Sequence, residues 1–225
     1  MGRALAGIGA RLGRPKPIVR CPWPAKKREA RLRGLRRLAR RDCEEEPVFY
    51  ADEIDIHLNP KIGRDWMPRG FQRRVLTPGK NRKHYLAGAM RAGSRRVITV
   101  DGESKCSALF CALVWRVLAA SPKARRVHFI LDNYIIHSSK KTQRFLLQFG
   151  DRVALHFLPP YCPDANRIER LWLDVHANVT RNHRCRTIER LIENVHAFLK
   201  RHNQSTRSRS EHRRVAPLRE SRSVI

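Results

Sequence analysis

The alternation of apolar and polar positions divides most of the chain into short strands followed by helices. Residues Val48 to Leu58 alternate with period two, placing Val48, Tyr50, Ile54 and Ile56 on one face and Glu53, Asp55 and His57 on the other. Lys83 to Met90 and Arg96 to Val100 are further strand candidates, separated by the turn Ala92-Gly93-Ser94. Ser104 to Ala120 is apolar over a helical length, and Val127 to Leu131 is the continuous apolar run of a strand buried on both faces. An amphipathic helix over Ser139 to Phe149 precedes a strand over Val153 to Leu158. Arg167 to Thr180 and Thr187 to His202 then repeat apolar residues at i, i+3, i+4 and i+7. Three strands followed by helix, strand, helix, strand, helix predict an α/β fold: a mixed sheet, three antiparallel strands and then parallel ones, flanked by helices.

The two ends depart from this pattern. Residues 1–41 hold fourteen Lys and Arg and one acid, Glu29, with Pro15, Pro17, Pro22 and Pro24 breaking the first half. An extended basic arm is expected there, then a short basic helix from Ala25 to Arg41 with Leu32, Leu35 and Leu38 in register. From Gln204 the chain is rich in Ser and Arg, and a basic disordered tail is expected. The expected division is 1–45 for the arm, 46–202 for the folded domain and 203–225 for the tail.

Charge narrows the class of partner. Forty-eight Lys and Arg against 20 Asp and Glu leave a net charge of +28 over 225 residues. That excess opposes compaction unless a polyanion neutralises it, and nucleic acid does so with release of counterions. The six cysteines form no C-x-x-C pair, which argues against a zinc ribbon or a disulfide framework. Ala108 to Trp115 is too short to span a bilayer, and neither membrane association nor a targeting segment is expected. The expected location is the cytoplasm, on the nucleoid when DNA is bound.

Three acids stand out by position. Asp132 directly follows the buried strand Val127 to Leu131, at the carboxyl end where α/β sheets gather ligands; a turn cap is the competing explanation. Asp52 sits in line with a core face of the first strand, where acids are depleted. Its competitor is a register in which Glu53 points inward. Glu169 opens a helix three residues after Asn166, and Asn-x-x-Glu also suits a capping box. As a set, oxygen donors from two strands and one helix suit Mg²⁺ or Mn²⁺. Two such ions about 4 Å apart would stabilise both the attacking and leaving oxygens of a phosphoryl displacement.

Phe49-Tyr50-Ala51-Asp52-Glu53, then Leu131-Asp132-Asn133 with His137, then Pro159-Pro160-Tyr161-x-Pro163 leading to Ile168-Glu169-x-x-Trp172, resemble the three motifs of DDE transposases. The resemblance is to the bacterial insertion sequence 630 family of the mariner superfamily, and covers about residues 46–202. Trp66, Gly70 and the Lys83 to Gly88 strand also fit it, as do the 36 residues between the second and third acids. Cys162 stands where that family usually has Ser, and Arg167 where it usually has Pro. The resemblance implies a ribonuclease-H-like fold, with Asp52, Asp132 and Glu169 as catalytic metal ligands. It further implies DNA cleavage at transposon ends with strand transfer, transposon-end and target DNA as partners, and a homodimer in a synaptic complex. Such transposases carry N-terminal helix-turn-helix modules. About 45 residues are too few for two of them, so the arm is expected to be the remnant linker to a missing helix-turn-helix region. Two other readings of the charge remain, a catalytically inactive DNA-binding remnant and a basic RNA-binding protein. His137 is expected either to position substrate or metal or to serve as a structural hydrogen-bonding residue, and Trp172 to lie in the core.

Overall fold

A computed structural model describes the backbone of residues 19–215 and the side chains of 19–206. The first part of the expected basic arm, residues 1–18, and the end of the expected tail, residues 216–225, lie outside the described residues.

The alternating segment forms strand β1 (Val48–His57), which pairs antiparallel with β2 (Lys83–Arg91), itself antiparallel to β3 (Val97–Gly102). On its other edge β1 pairs in parallel with β4 (Val127–Leu131), and β4 with β5 (Val153–Phe157), giving one sheet in the order β3-β2-β1-β4-β5. The expected mixed sheet is therefore formed, with β1 at its centre.

Helices cover both faces. On one lie α1 (Ala25–Arg40), α5 (Ile168–Val175) and α6 (Ile188–Val215), whose Leu35, Ala39, Leu171, Trp172, Leu191 and Val195 pack with Tyr50, Ile54 and Ile56. On the other lie α2 (Ser107–Ala120), α3 (Ile135–Ser138) and α4 (Lys140–Leu147), with Phe110, Leu113 and Val117 against Phe49, Ala51 and Phe129. The division follows the pleat, since even-numbered β1 residues meet the first group and odd-numbered ones the second. The basic helix α1 is thus docked through its apolar stripe, with most of its Arg and Lys turned outward. Trp172 is buried in the core, as expected.

Two expectations change. The helix expected over Arg167 to Thr180 ends as a single π turn over His176–Thr180. The disordered tail expected from residue 203 is instead helix as far as Val215. Its anchor is Asn203, which donates to the Val97 carbonyl at 2.8 Å and accepts the Val97 N–H at 2.8 Å, tying α6 to the edge strand. Arginine is also a good helix former, so Ser/Arg composition did not forbid the extension. Among the described residues no helix is long and apolar enough to cross a membrane.

Candidate active site

The sheet places two of the acids side by side. β1 and β4 run parallel with Val48 level with His128 and Tyr50 level with Ile130. Extended two residues beyond the last pair, that register would bring Asp132 level with Asp52, neighbouring strands being spaced about 5 Å apart. Asp132 lies just beyond the end of β4, where the chain turns away, and its side chain is 48% exposed. The turn-cap explanation is realised here, because Asp132 Oδ1 accepts the Tyr134 N–H at 3.0 Å. The same oxygen lies 3.2 Å from His137 Nδ1. Burial pushes the Asp132 carboxyl up, but these hydrogen bonds and the charges of His137 and Lys105 outweigh it and hold the group below its ordinary value.

Asp52 behaves differently. Burial, the charge of Glu53 and, more weakly, that of Asp132 push it up to about 7, against the opposing pull of Lys105 and of the Glu53 N–H, which donates to Asp52 Oδ1 at 2.8 Å. A carboxyl this costly to ionise sits beside a second carboxylate at the open end of the sheet. Two acids are thus neighbours there, one of them costly to ionise despite the Lys105 charge.

The third acid arrives on α5. Ile168, Leu171, Trp172 and Val175 form its buried stripe, and Glu169 lies beside that stripe, half-buried, in the first turn. Two contacts fix the helix against the sheet at this level. Gly88, the β2 partner of Asp52, has no side chain, so the Trp172 ring lies directly on the strand; a Cβ there would stand 2.5 Å from it. Asn166, buried ahead of the helix, donates from Nδ2 to the Ala51 carbonyl at 2.9 Å, one residue before Asp52. That bond removes the capping-box explanation of Glu169, because the Asn166 side chain faces β1 and α5 has no side-chain cap. Glu169 is raised by burial and by the charges of Asp164 and Asp132, so it lies in the field of Asp132. It opens into a cleft of about 410 Å³ flanked by Arg95, Arg167 and Arg170, guanidinium groups suited to a phosphate chain.

On the opposite face of β1, Glu53 is buried completely, its side chain 0% exposed. Its Oε1 lies 3.2 Å from Nε2 of His137, whose side chain is equally buried, and its Oε2 lies 3.3 Å from Lys105 Nζ, within ion-pair reach although not aligned as a hydrogen bond. Burial pulls the His137 imidazole down, yet hydrogen bonds and charge from Asp132 and Glu53 raise it to about 9. Lys105, from the β3–α2 loop, also lies over the Tyr134 ring at 4.4 Å. Sequence reasoning missed Lys105 altogether and treated Glu53 only as the competitor of Asp52. The alternation that selects Asp52 cannot show that both faces of β1 are covered.

Carboxylate oxygens suit a hard divalent cation, and the structure sets Asp52 and Asp132 on or beside neighbouring strands, while the cleft lined by Glu169 includes neither of them. Among the described residues, no three His, Cys, Asp or Glu side chains are set closely enough to hold a metal ion. His176, His183 and Cys185 form no such group, and every described cysteine is free.

Comparison with known proteins gives this arrangement its context. Over 195 residues the chain is 44% identical to a protein of Shigella sonnei described as insertion element IS630 uncharacterized 39 kDa protein, the match covering 86% of this chain and 55% of that one. The chain thus spans little more than half the length of that relative. Among solved structures, the Mos1 transposase paired-end complex with left transposon end superposes with a TM-score of 0.58 at 16% identity, over 88% of this chain and 61% of that one. The catalytic domain of Mos1 mariner transposase gives 0.50 at 14% identity, over 81% and 85%. These likenesses fix the fold as that of the Mos1 catalytic domain, the ribonuclease-H-like architecture expected above. The family described as DDE superfamily endonuclease matches residues 47–210, from the start of β1 into α6, and the chain belongs to that family.

Proposed function

We propose that Asp52, Asp132 and Glu169 are the catalytic acids of a transposase domain that cuts DNA at the ends of an insertion element and joins the freed ends to target DNA. What supports this reading is the β1–β4 register, which if extended past Tyr50 and Ile130 would bring Asp132 level with Asp52, together with the Asp132 charge felt at Glu169 and the Asn166–Ala51 and Trp172–Gly88 contacts that fix α5 on the sheet. The catalytic unit begins near residue 46, with α1 packed onto it.

Mg²⁺ or Mn²⁺, as two ions, is the cofactor that this donor set suits. Mos1 mariner paired-end complexes are described with Mg and with Mn. Bound there, the ions would supply Lewis-acid stabilisation of charge on the phosphoryl oxygens. The chain's own contributions are separate. Asp132 presents an ionised carboxylate, Asp52 a buried one that becomes easier to ionise beside a cation, and the cleft arginines hold phosphates of the duplex. Transposon-end and target DNA are the partners, and two copies of the chain would be needed to bring two ends together.

The test is strand transfer. A short duplex carrying the terminal sequence of the element is incubated with a target plasmid and Mg²⁺. Joined product is expected with the wild-type chain and none with Asp132→Asn, while duplex binding without metal stays nearly unchanged. Equal joining by Asp132→Asn would overturn the assignment. A catalytically inactive DNA-binding remnant would instead bind the duplex and join nothing, with or without the substitution.

A further inference from the structure

The catalytic reading leaves a second group of ionisable residues unused: Glu53, His137 and Lys105, on the face of β1 turned away from Glu169. We propose that Glu53 and His137 are positioning residues that lock the Asp132 carboxylate with one oxygen spoken for and the other turned outward to receive a divalent cation.

Both donors to Asp132 reach the same atom. The Tyr134 N–H bonds Oδ1 at 3.0 Å, and His137 Nδ1, whose aligned hydrogen bond goes to the Asp132 carbonyl, lies within ion-pair reach of the same oxygen at 3.2 Å. Both contacts restrain the carboxylate from one side and leave Oδ2 without a donor among the described residues. The His137 ring is held just as firmly. Its Nε2 lies 3.2 Å from Glu53 Oε1, its Nδ1 is 3.3 Å from the Asp132 carbonyl, and the Phe110 ring packs against it with centroids 4.6 Å apart. Glu53 in turn is held through its other oxygen by Lys105. The chain of contacts thus runs from Lys105 through Glu53 and His137 to Asp132 and stops at Oδ2.

Stability alone does not account for this arrangement. A buried ion pair roughly breaks even against well-packed apolar residues of the same volume, and the surrounding positions on this face are Leu, Phe, Val and Ala. What an acid–imidazole pair supplies that leucine cannot is a directed donor at a fixed point. Carboxylates and histidines behind a metal ligand set its direction in this way, and removing one typically lowers metal affinity 10–100-fold.

The inference rests on the proposed role of Asp132 as a metal ligand, and the experiment separates the two. Mn²⁺ binding to the full chain is measured by calorimetry for wild type, His137→Ala, Glu53→Gln and Asp132→Asn, with the Mg²⁺ dependence of DNA nicking alongside. His137→Ala and Glu53→Gln are each expected to weaken Mn²⁺ binding about 10–100-fold. The Mg²⁺ midpoint of nicking should shift to match, and saturating metal should recover most of the rate. His137→Gln, which keeps an N–H donor, should regain part of the affinity. Wild-type Mn²⁺ affinity in Glu53→Gln overturns the proposal, as does nicking that saturating metal fails to recover; Glu53→Gln, which preserves shape, decides should His137→Ala not fold. Asp132→Asn reads the underlying assignment. Unchanged Mn²⁺ binding there overturns the metal site itself, whereas binding lost in Asp132→Asn and unchanged in Glu53→Gln overturns only the positioning role.

Discussion

Asp52 and Glu53 are neighbours on one strand, and the two faces of β1 treat them in opposite ways. Glu53 is the more deeply buried, yet its charge is answered by His137 and Lys105 at contact distance. Asp52 faces α5 with the Lys105 charge and one backbone N–H on its side, and is pushed up to about 7. The difference separates an acid whose charge is answered within the framework from one whose charge is answered less, which on the proposed reading is the metal ligand. Burial alone would have chosen Glu53 as the functional residue; charge compensation favours Asp52.

The comparison can be broken at several points, with effects of decreasing size. Glu53→Ala would leave the buried His137 and the half-buried Lys105 without their acid, and should cost about 3–5 kcal/mol in urea unfolding at neutral pH. A loss below about 1 kcal/mol would mean the face is less compensated than its geometry indicates.

Asp52→Asn should act in the other direction and depend on pH. The Asp52 carboxyl is higher in the folded protein than in the unfolded chain, so between its ordinary value near 4 and about 7 the folded state binds the extra proton. Wild-type stability therefore declines as pH rises through that window, while the amide has no proton to lose. At pH 8 Asp52→Asn should be the more stable protein, by roughly 4 kcal/mol, and at pH 4 the two should converge. His137 adds a second decline, between its ordinary value near 6.5 and about 9, because its raised value favours the folded state only while the ring is protonated. Melting temperatures across pH 4–9 resolve both windows; a wild-type-minus-variant difference that is flat with pH would contradict the Asp52 assignment.

Gly88→Ala probes the contact that brings α5 to the sheet. The added methyl meets the Trp172 ring at 2.5 Å, and overpacking of this kind costs about 1–3 kcal/mol. Because Glu169 rides on the same helix, nicking should fall more than stability alone explains; an unchanged rate would mean that α5 placement does not set the position of Glu169.

Much of this was legible in the sequence, for identifiable reasons. The strands were readable because Val48 to Leu58 alternates and Val127 to Leu131 is apolar without a break, and a mixed sheet follows from their order. Asp132 stood out as a candidate because a polar residue beside such a run is costly without a partner. What escaped depends on the third dimension. That the Glu53 face is a second core and not solvent depends on α2 and α3 folding over it, contacts far apart in sequence. Lys105 comes from a loop with no pattern to mark it. Asn166 looked like a helix cap because spacing cannot tell a bond within the helix from one across to β1. The helical run past residue 203 was hidden by composition, since its anchor is one side chain on a distant edge strand.

The most direct test of the central claim is metal-dependent nicking of a supercoiled plasmid by Asp52→Asn, Asp132→Asn and Glu169→Gln, each checked for folding and duplex affinity. With Mg²⁺ or Mn²⁺ present, each substitution should abolish nicking, a loss deeper than the 10–100-fold expected for residues that merely support a ligand. Wild-type nicking by any folded member of the three would contradict the claim that these acids form one catalytic set.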